Sequence, residues 1–176
     1  MKVRVAKPSD AQSIADIYAP IVRDTAISFE LEPPSAAEMR SRISETLKVF
    51  PWLVSVNGAG EIDGYAYASK HRARAAYRWS VDSTIYVRAD SRRGGVGRRL
   101  YNELFTELVR LGYCETFAGI ALPNDASIAL HRSVGFEPVG TYRGVGFKLG
   151  AWHDVSWWQK SLGSTVSPTE PIAFGG

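Results

Sequence analysis

Between Asp90 and Leu100 the chain reads Asp-Ser-Arg-Arg-Gly-Gly-Val-Gly-Arg-Arg-Leu, four arginines around three glycines. Glycines leave backbone N–H groups uncovered. A helix N-terminus adds unpaired N–H donors and a partial positive charge, so such a stretch at the start of a helix is an anion site. Arg92, Arg93, Arg98 and Arg99 reinforce it with fixed positive charge. Two nucleotide-binding patterns are excluded. No Lys-Ser or Lys-Thr completes a Walker-type loop, and Leu100 stands where a dinucleotide fingerprint needs its third glycine. Neither His71 nor His153 lies at metal-ligand spacing with His131, and Cys114 is alone, so no metal is expected.

The elements that must hold this stretch follow from hydrophobic spacing. Lys2 to Val5 alternates like a strand, and Ala11, Ile14, Ile17, Tyr18, Ile21 and Val22 recur at helical spacing behind a Ser9 cap, with Pro20 expected to bend or end that helix. Ser35 and Glu38 form a capping box before Met39, Ile43 and Leu47. Two runs, Trp52 to Val56 and Ile62 to Ser69, flank a turn-rich segment and predict a hairpin. A polar link then leads to the strand Ser83 to Val87, the glycine-arginine stretch, and a helix carrying Leu100, Leu104, Leu108 and Leu111 that stops at Gly112. Glu115 to Ala121 reads as the next strand. A short helix from Asn124 to Gly135 and two last strands complete an α+β fold around one mixed sheet.

The spacing Arg92-x-x-Gly95-x-Gly97 resembles the R/Q-x-x-G-x-G/A pyrophosphate loop of the GNAT N-acetyltransferases, with the strand before it and the amphipathic helix after it in the expected places. Asn124, His131 and the pair Gly135-Phe136 resemble the family segment in which an Asn contacts the pantetheine arm and a Tyr seven residues later approaches the thioester sulfur; here His131 stands for that Tyr. Together with "RARAAYRWSVDSTIYV", "NDASIALH" and "GVGFKLGAWHDVSWWQ", the chain resembles the phosphinothricin and methionine sulfoximine N-acetyltransferases over almost its full length. The resemblance implies a mostly antiparallel, twisted sheet of about seven strands with about four helices, acetyl-CoA as co-substrate, and a homodimer.

Its site residues carry over position by position. Asp82 stands where the family has a glutamate acting as general base; a carboxylate partly removed from water can take a proton from an ammonium group, directly or through water. His131 would protonate the departing thiolate. Arg92, Arg93, Gly94, Gly95, Val96, Gly97 and Arg98 would hold the pyrophosphate, Asn124 the pantetheine arm, and backbone N–H groups at Ile85 or Val87 the thioester oxygen. Arg72, Arg74 and Tyr77 match the family's basic acceptor pocket, suited to a carboxylate or phosphinate, and Phe29 would wall it. His71 reads as a loop residue. His153 and Asp154 take structural roles. Trp157 and Trp158, facing opposite sides of a strand, place one tryptophan on the surface for a second subunit to cover.

The whole chain frames these expectations. Its 176 residues, 45% hydrophobic and 22% charged, fit one domain, residues 1–162, with a loosely held Pro/Ser/Gly-rich tail at 163–176. No apolar run reaches the roughly 18 to 20 residues of a membrane span, and no signal peptide opens the chain, which predicts a cytoplasmic protein without a membrane partner. The lone cysteine excludes an internal disulfide. A net charge of +3 without a basic-aromatic repeat argues against a nucleic-acid partner. The reading is an acetyl-CoA-dependent enzyme that acetylates the α-amine of a small anionic amino-acid analogue. Alternatives that stay open are a peptide N-terminus, polyamine or arsenic-containing acceptor, or a non-catalytic acetyl-CoA or nucleic-acid binding module.

Overall fold

A computed structural model describes residues 2–163 and 166–175. In chain order the elements are β1 (Lys2–Val5), α1 (Ala11–Asp24), α2 (Ala36–Leu47), β2 (Trp52–Val56), β3 (Ile62–Lys70), β4 (Ser80–Val87), α3 (Val96–Arg110), β5 (Glu115–Ala121), α4 (Asp125–Ser133), β6 (Glu137–Lys148) and β7 (Ala151–Ser161). The seven strands form one sheet in the order β1-β2-β3-β4-β5-β7-β6. Every neighbouring pair is antiparallel except β4 and β5, which α3 connects. A parallel pair needs such a crossover.

That parallel pair is short and decides the shape of the site. Ser80–Asp82 pair with Glu115–Phe117, and there the ladder ends. β4 stays with β3 as far as Val87, while β5 turns to β7 through Ala121. The sheet therefore opens into a wedge beyond Asp82. Where the ladder stops, the Ser83 hydroxyl donates to the Phe117 carbonyl at 3.3 Å.

Two apolar clusters clamp the sheet. On one side α1 and α2 bury Ile14, Tyr18, Val22, Met39 and Ile43 against Trp52, Val54 and Tyr65. α3 covers the other side with Leu100, Tyr101, Leu104 and Leu108, joined by Val81, Ala118, Phe136 and Trp158. Packing overrides two local expectations. α1 continues through Pro20 to Asp24, because Ile21 and Val22 remain buried beyond the proline, and its N-cap is Asp10 after a 3-10 turn rather than Ser9. Ser35 does cap α2, accepting from the Glu38 N–H, but the Glu38 carboxylate turns to Arg42.

The tail differs from the loose segment expected. Glu170 accepts hydrogen bonds from Arg78, and Thr169 O accepts from the Trp79 indole N–H at 2.8 Å. Ile172 N donates to Leu111 O and Phe174 N to Val49 O, so residues 169–174 strap the end of α3 to the segment that enters β4. Among the described residues, no helix is long and apolar enough to cross a membrane.

Candidate active site

The wedge between β4 and β5 is the mouth of a cavity of about 270 Å3. β4 lines it from Asp82 to Tyr86 and β5 from Ala118 to Ala121; Asn124, Ser127 and His131 come from α4, Tyr101 from α3, Trp157 from β7 and Ile27 from the α1–α2 loop. Asp82 thus stands at the closed end of the wedge. At a rise of about 3.3 Å per residue, Val87 lies about 16 Å further along the same strand, where the glycine-arginine loop begins.

That loop gathers uncovered donors and positive charge. Gly95 is the N-cap of α3 and adopts φ 81, a left-handed conformation that favours glycine. No side chain caps this helix, in contrast to Ser35 on α2 and Asn124 on α4. Arg88 is neutralised by Asp90 and Glu61, whereas Arg92, Arg93 and Arg98 pair with no carboxylate among the described residues. Gly97 lets α3 approach α4: a Cβ there would lie 2.8 Å from the Leu130 side chain.

The Asp82 carboxylate has one hydrogen-bond partner among the described residues, and it is neither Arg72 nor Arg74. His71 Nδ1 lies 2.6 Å from Asp82 Oδ1. Burial, the largest influence, pushes the Asp82 carboxyl above the ordinary carboxylate value; the His71 N–H and the positive charge of Arg72 oppose it. His71 is a loop residue, as the sequence predicts, just after β3; local spacing does not reveal its partner, eleven positions away across the β3–β4 hairpin. The antiparallel register, which pairs Ser69 with Asp82, is what carries His71 there.

His131 is buried, 3% exposed. Its Nδ1 is 2.7 Å from the Ser127 carbonyl, an acceptor only, so Nδ1 carries the proton. Nε2 then accepts from the Tyr101 hydroxyl at 2.7 Å. Burial, the larger influence, pushes the imidazole below its usual value, so the neutral ring dominates near pH 7; the Ser127 bond opposes it. Tyr101 was hidden in the sequence among the apolar positions of α3. Asn124 lines the same cavity and uses its Oδ1 to cap α4, accepting from Ser127 N at 3.2 Å.

The acceptor-side residues divide. Arg72 donates to the His71 carbonyl at 2.8 Å and places its guanidinium 5.8 Å from the Trp157 ring, at the edge of the cavity. Tyr77 meets the His71 ring edge-on at 5.9 Å, and Arg74 is exposed. None of the three is among the lining residues, nor is Phe29, whose ring packs on Gly146 so closely that a Cβ there would clash, with His153 beyond it. Ile27 faces the cavity from that loop instead. The tryptophan pair also differs from expectation: Trp158 is core at 2% exposure, and Trp157 lines the cavity rather than an outer face; Trp152 is the exposed one at 67%.

Residues 3–157 match the acetyltransferase (GNAT) domain model. The chain is 34% identical to the phosphinothricin N-acetyltransferase of Streptomyces viridochromogenes, over 98% of this chain and 93% of that protein. It is 33% identical to the L-methionine sulfoximine/L-methionine sulfone acetyltransferase of Pseudomonas paraeruginosa, over 94% and 96%. The crystal structure of a GNAT phosphinothricin acetyltransferase from Sinorhizobium meliloti in complex with AcCoA superposes with a TM-score of 0.91 at 38% identity, covering 96% of this chain and 93% of that one. With a split sheet, an uncapped glycine-arginine helix start and these similarities along its length, the chain belongs to the GNAT acetyltransferase family.

Proposed function

We propose that this acetyltransferase moves the acetyl group of acetyl-CoA to the α-amine of a small anionic amino-acid analogue of the phosphinothricin or methionine sulfoximine type. The observation that carries this reading is the shared strand: β4 holds the half-buried Asp82 carboxylate at the closed end of the wedge and leads into the glycine-arginine loop at the open end. The relatives named above act on acceptors of that type, and the AcCoA complex of the Sinorhizobium meliloti neighbour supports the co-substrate.

Arg92, Arg93 and Arg98, with the loop N–H groups of Gly94 to Gly97, hold the pyrophosphate. The open edge of β4 at Ile85 and Val87 offers N–H donors to the thioester oxygen as negative charge develops on it, while Asn124 contacts the pantetheine arm. Arg72, Arg74 and Tyr77 receive the acceptor's anionic group beside Trp157, and Phe29 braces the loop that carries Ile27. Asp82 takes a proton from the ammonium group, and the amine attacks the carbonyl carbon directly in a ternary complex. The departing thiolate takes its proton from the His131–Tyr101 pair. The buried Cys114 has its thiol pushed up by burial and is not a nucleophile in this scheme.

We further propose a cytoplasmic homodimer. The exposed Tyr142, Phe147, Leu149 and Trp152 at the β6–β7 edge support an interface. The function is tested by NMR of phosphinothricin incubated with acetyl-CoA and the protein. An acetamide at the α-nitrogen supports it, and unmodified amine overturns it.

A further inference from the structure

His71 is held from three sides. Its ring lies parallel to Phe117, with centroids 4.2 Å apart and planes 16° apart, and the edge of Tyr77 closes against it. Its side chain is 10% exposed. Phe117 is also the β5 partner of Asp82, so the same aromatic ring sets the floor for both residues. Asp82 lines the cavity, and its Oδ1 accepts from His71 Nδ1, which leaves Oδ2 as the carboxylate oxygen without a partner among the described residues. Resting on the reading of Asp82 as general base, we propose that His71 is a positioning residue for this base: its Nδ1–H pins Oδ1 so that Oδ2 faces the acceptor amine.

The consequence is a division between the two oxygens of one carboxylate. A free aspartate at a strand end rotates about χ2 and presents either oxygen; the bond to a stacked imidazole removes that freedom, as orientation of a reacting group requires. The N–H donation also favours the ionised carboxylate against the burial that raises its proton affinity. Other titratable or charged groups around the pair are Arg72 and Tyr77 on the link, Tyr86 on β4, Tyr101 on α3 and His131 on α4; β5 and β7 present Phe117 and Trp157, which do not titrate.

The test compares His71→Phe, His71→Asn and His71→Gln with Asp82→Ala in the full chain, using acetyl-CoA with phosphinothricin or methionine sulfoximine. Phe keeps the stacking ring without a donor, Asn places an amide N–H near the Nδ1 position, and Gln places it nearer Nε2. His71→Phe is expected to lower kcat by about 10- to 100-fold with acetyl-CoA affinity unchanged. The acid limb of its kcat/KM profile moves to higher pH, because Asp82 loses the donor that favours its charge. Asn restores both and Gln does not. Should His71→Phe not fold, Asn against Gln still decides: equal rates for the two overturn the proposal, and so does a wild-type kcat and pH profile in His71→Phe while Asp82→Ala is inactive. Wild-type turnover in Asp82→Ala overturns the base assignment and this proposal together.

Discussion

The Tyr101 hydroxyl on α3 donates to Nε2 of His131 on α4 across 2.7 Å. With Nδ1–H committed to the Ser127 carbonyl, the neutral imidazole has no further proton to give, so the pair's other proton is the tyrosine's, held between the hydroxyl and Nε2. The two residues should act as one unit. Tyr101→Phe and His131→Phe are each expected to lower turnover by about 10- to 100-fold. The double variant should cost little more than the worse single one, as measured in a double-mutant cycle. Multiplying effects would separate the residues.

Burial of neutral His131 also makes stability depend on pH. Its folded value lies below the ordinary 6.5, so the unfolded chain binds the proton more readily. Stability is full above about 6.5 and declines as pH falls from there toward the lowered folded value. Tm measured between pH 7.5 and 5.5 should fall in the wild type and fall less in His131→Phe.

Arg92 and Arg98 are exposed, so in the proposed binding mode each phosphate contact is worth about 1 kcal/mol at most. Arg92→Gln and Arg98→Gln should each raise the acetyl-CoA Kd by about fivefold in calorimetry. The difference from wild type should shrink as salt rises.

In the proposed site Arg72 serves the acceptor. With its guanidinium beside Trp157 and its Nη1 tied to the His71 carbonyl, it is pre-aimed at the cavity edge. Arg72→Gln is expected to raise KM for an anionic acceptor by about tenfold and leave acetyl-CoA binding unchanged.

Lys148 fastens the wall of the cavity. Its ammonium, buried and pushed down by that burial, donates to Val22 O and Ser28 O at 2.6 Å each, tying the last turn of α1 and the α1–α2 loop to β6. Lys148→Met strands both carbonyls and should cost about 2–4 kcal/mol in denaturant unfolding. Hydrogen exchange should rise across residues 25–30, where Ile27 meets the cavity.

Much of this architecture was legible before any coordinates. The strand and helix periodicities predicted all eleven principal elements, and the Arg92-x-x-Gly95-x-Gly97 spacing located the uncapped start of α3. What escaped were relationships set by register and packing rather than by local spacing. His71 reaches Asp82 because the β3–β4 hairpin aligns them, and Tyr101 looks like one more apolar position on a leucine stripe. Trp157 and Trp158 face opposite ways, as strand alternation requires, but alternation alone does not say that one of the faces is a cavity. Pro20 shows the converse: a local rule against helix lost to the burial of Ile21 and Val22.

Acceptor-dependent release of CoA is the decisive assay for acetyl transfer to a small anionic amino-acid analogue. Acetyl-CoA is incubated with the protein and phosphinothricin, methionine sulfoximine, methionine or spermidine, and a blank without acceptor corrects for reaction of Cys114 with the thiol reagent. Release with phosphinothricin or methionine sulfoximine is expected, well above methionine and spermidine. Release with spermidine alone, or none with any acceptor while acetyl-CoA binds tightly, would contradict it.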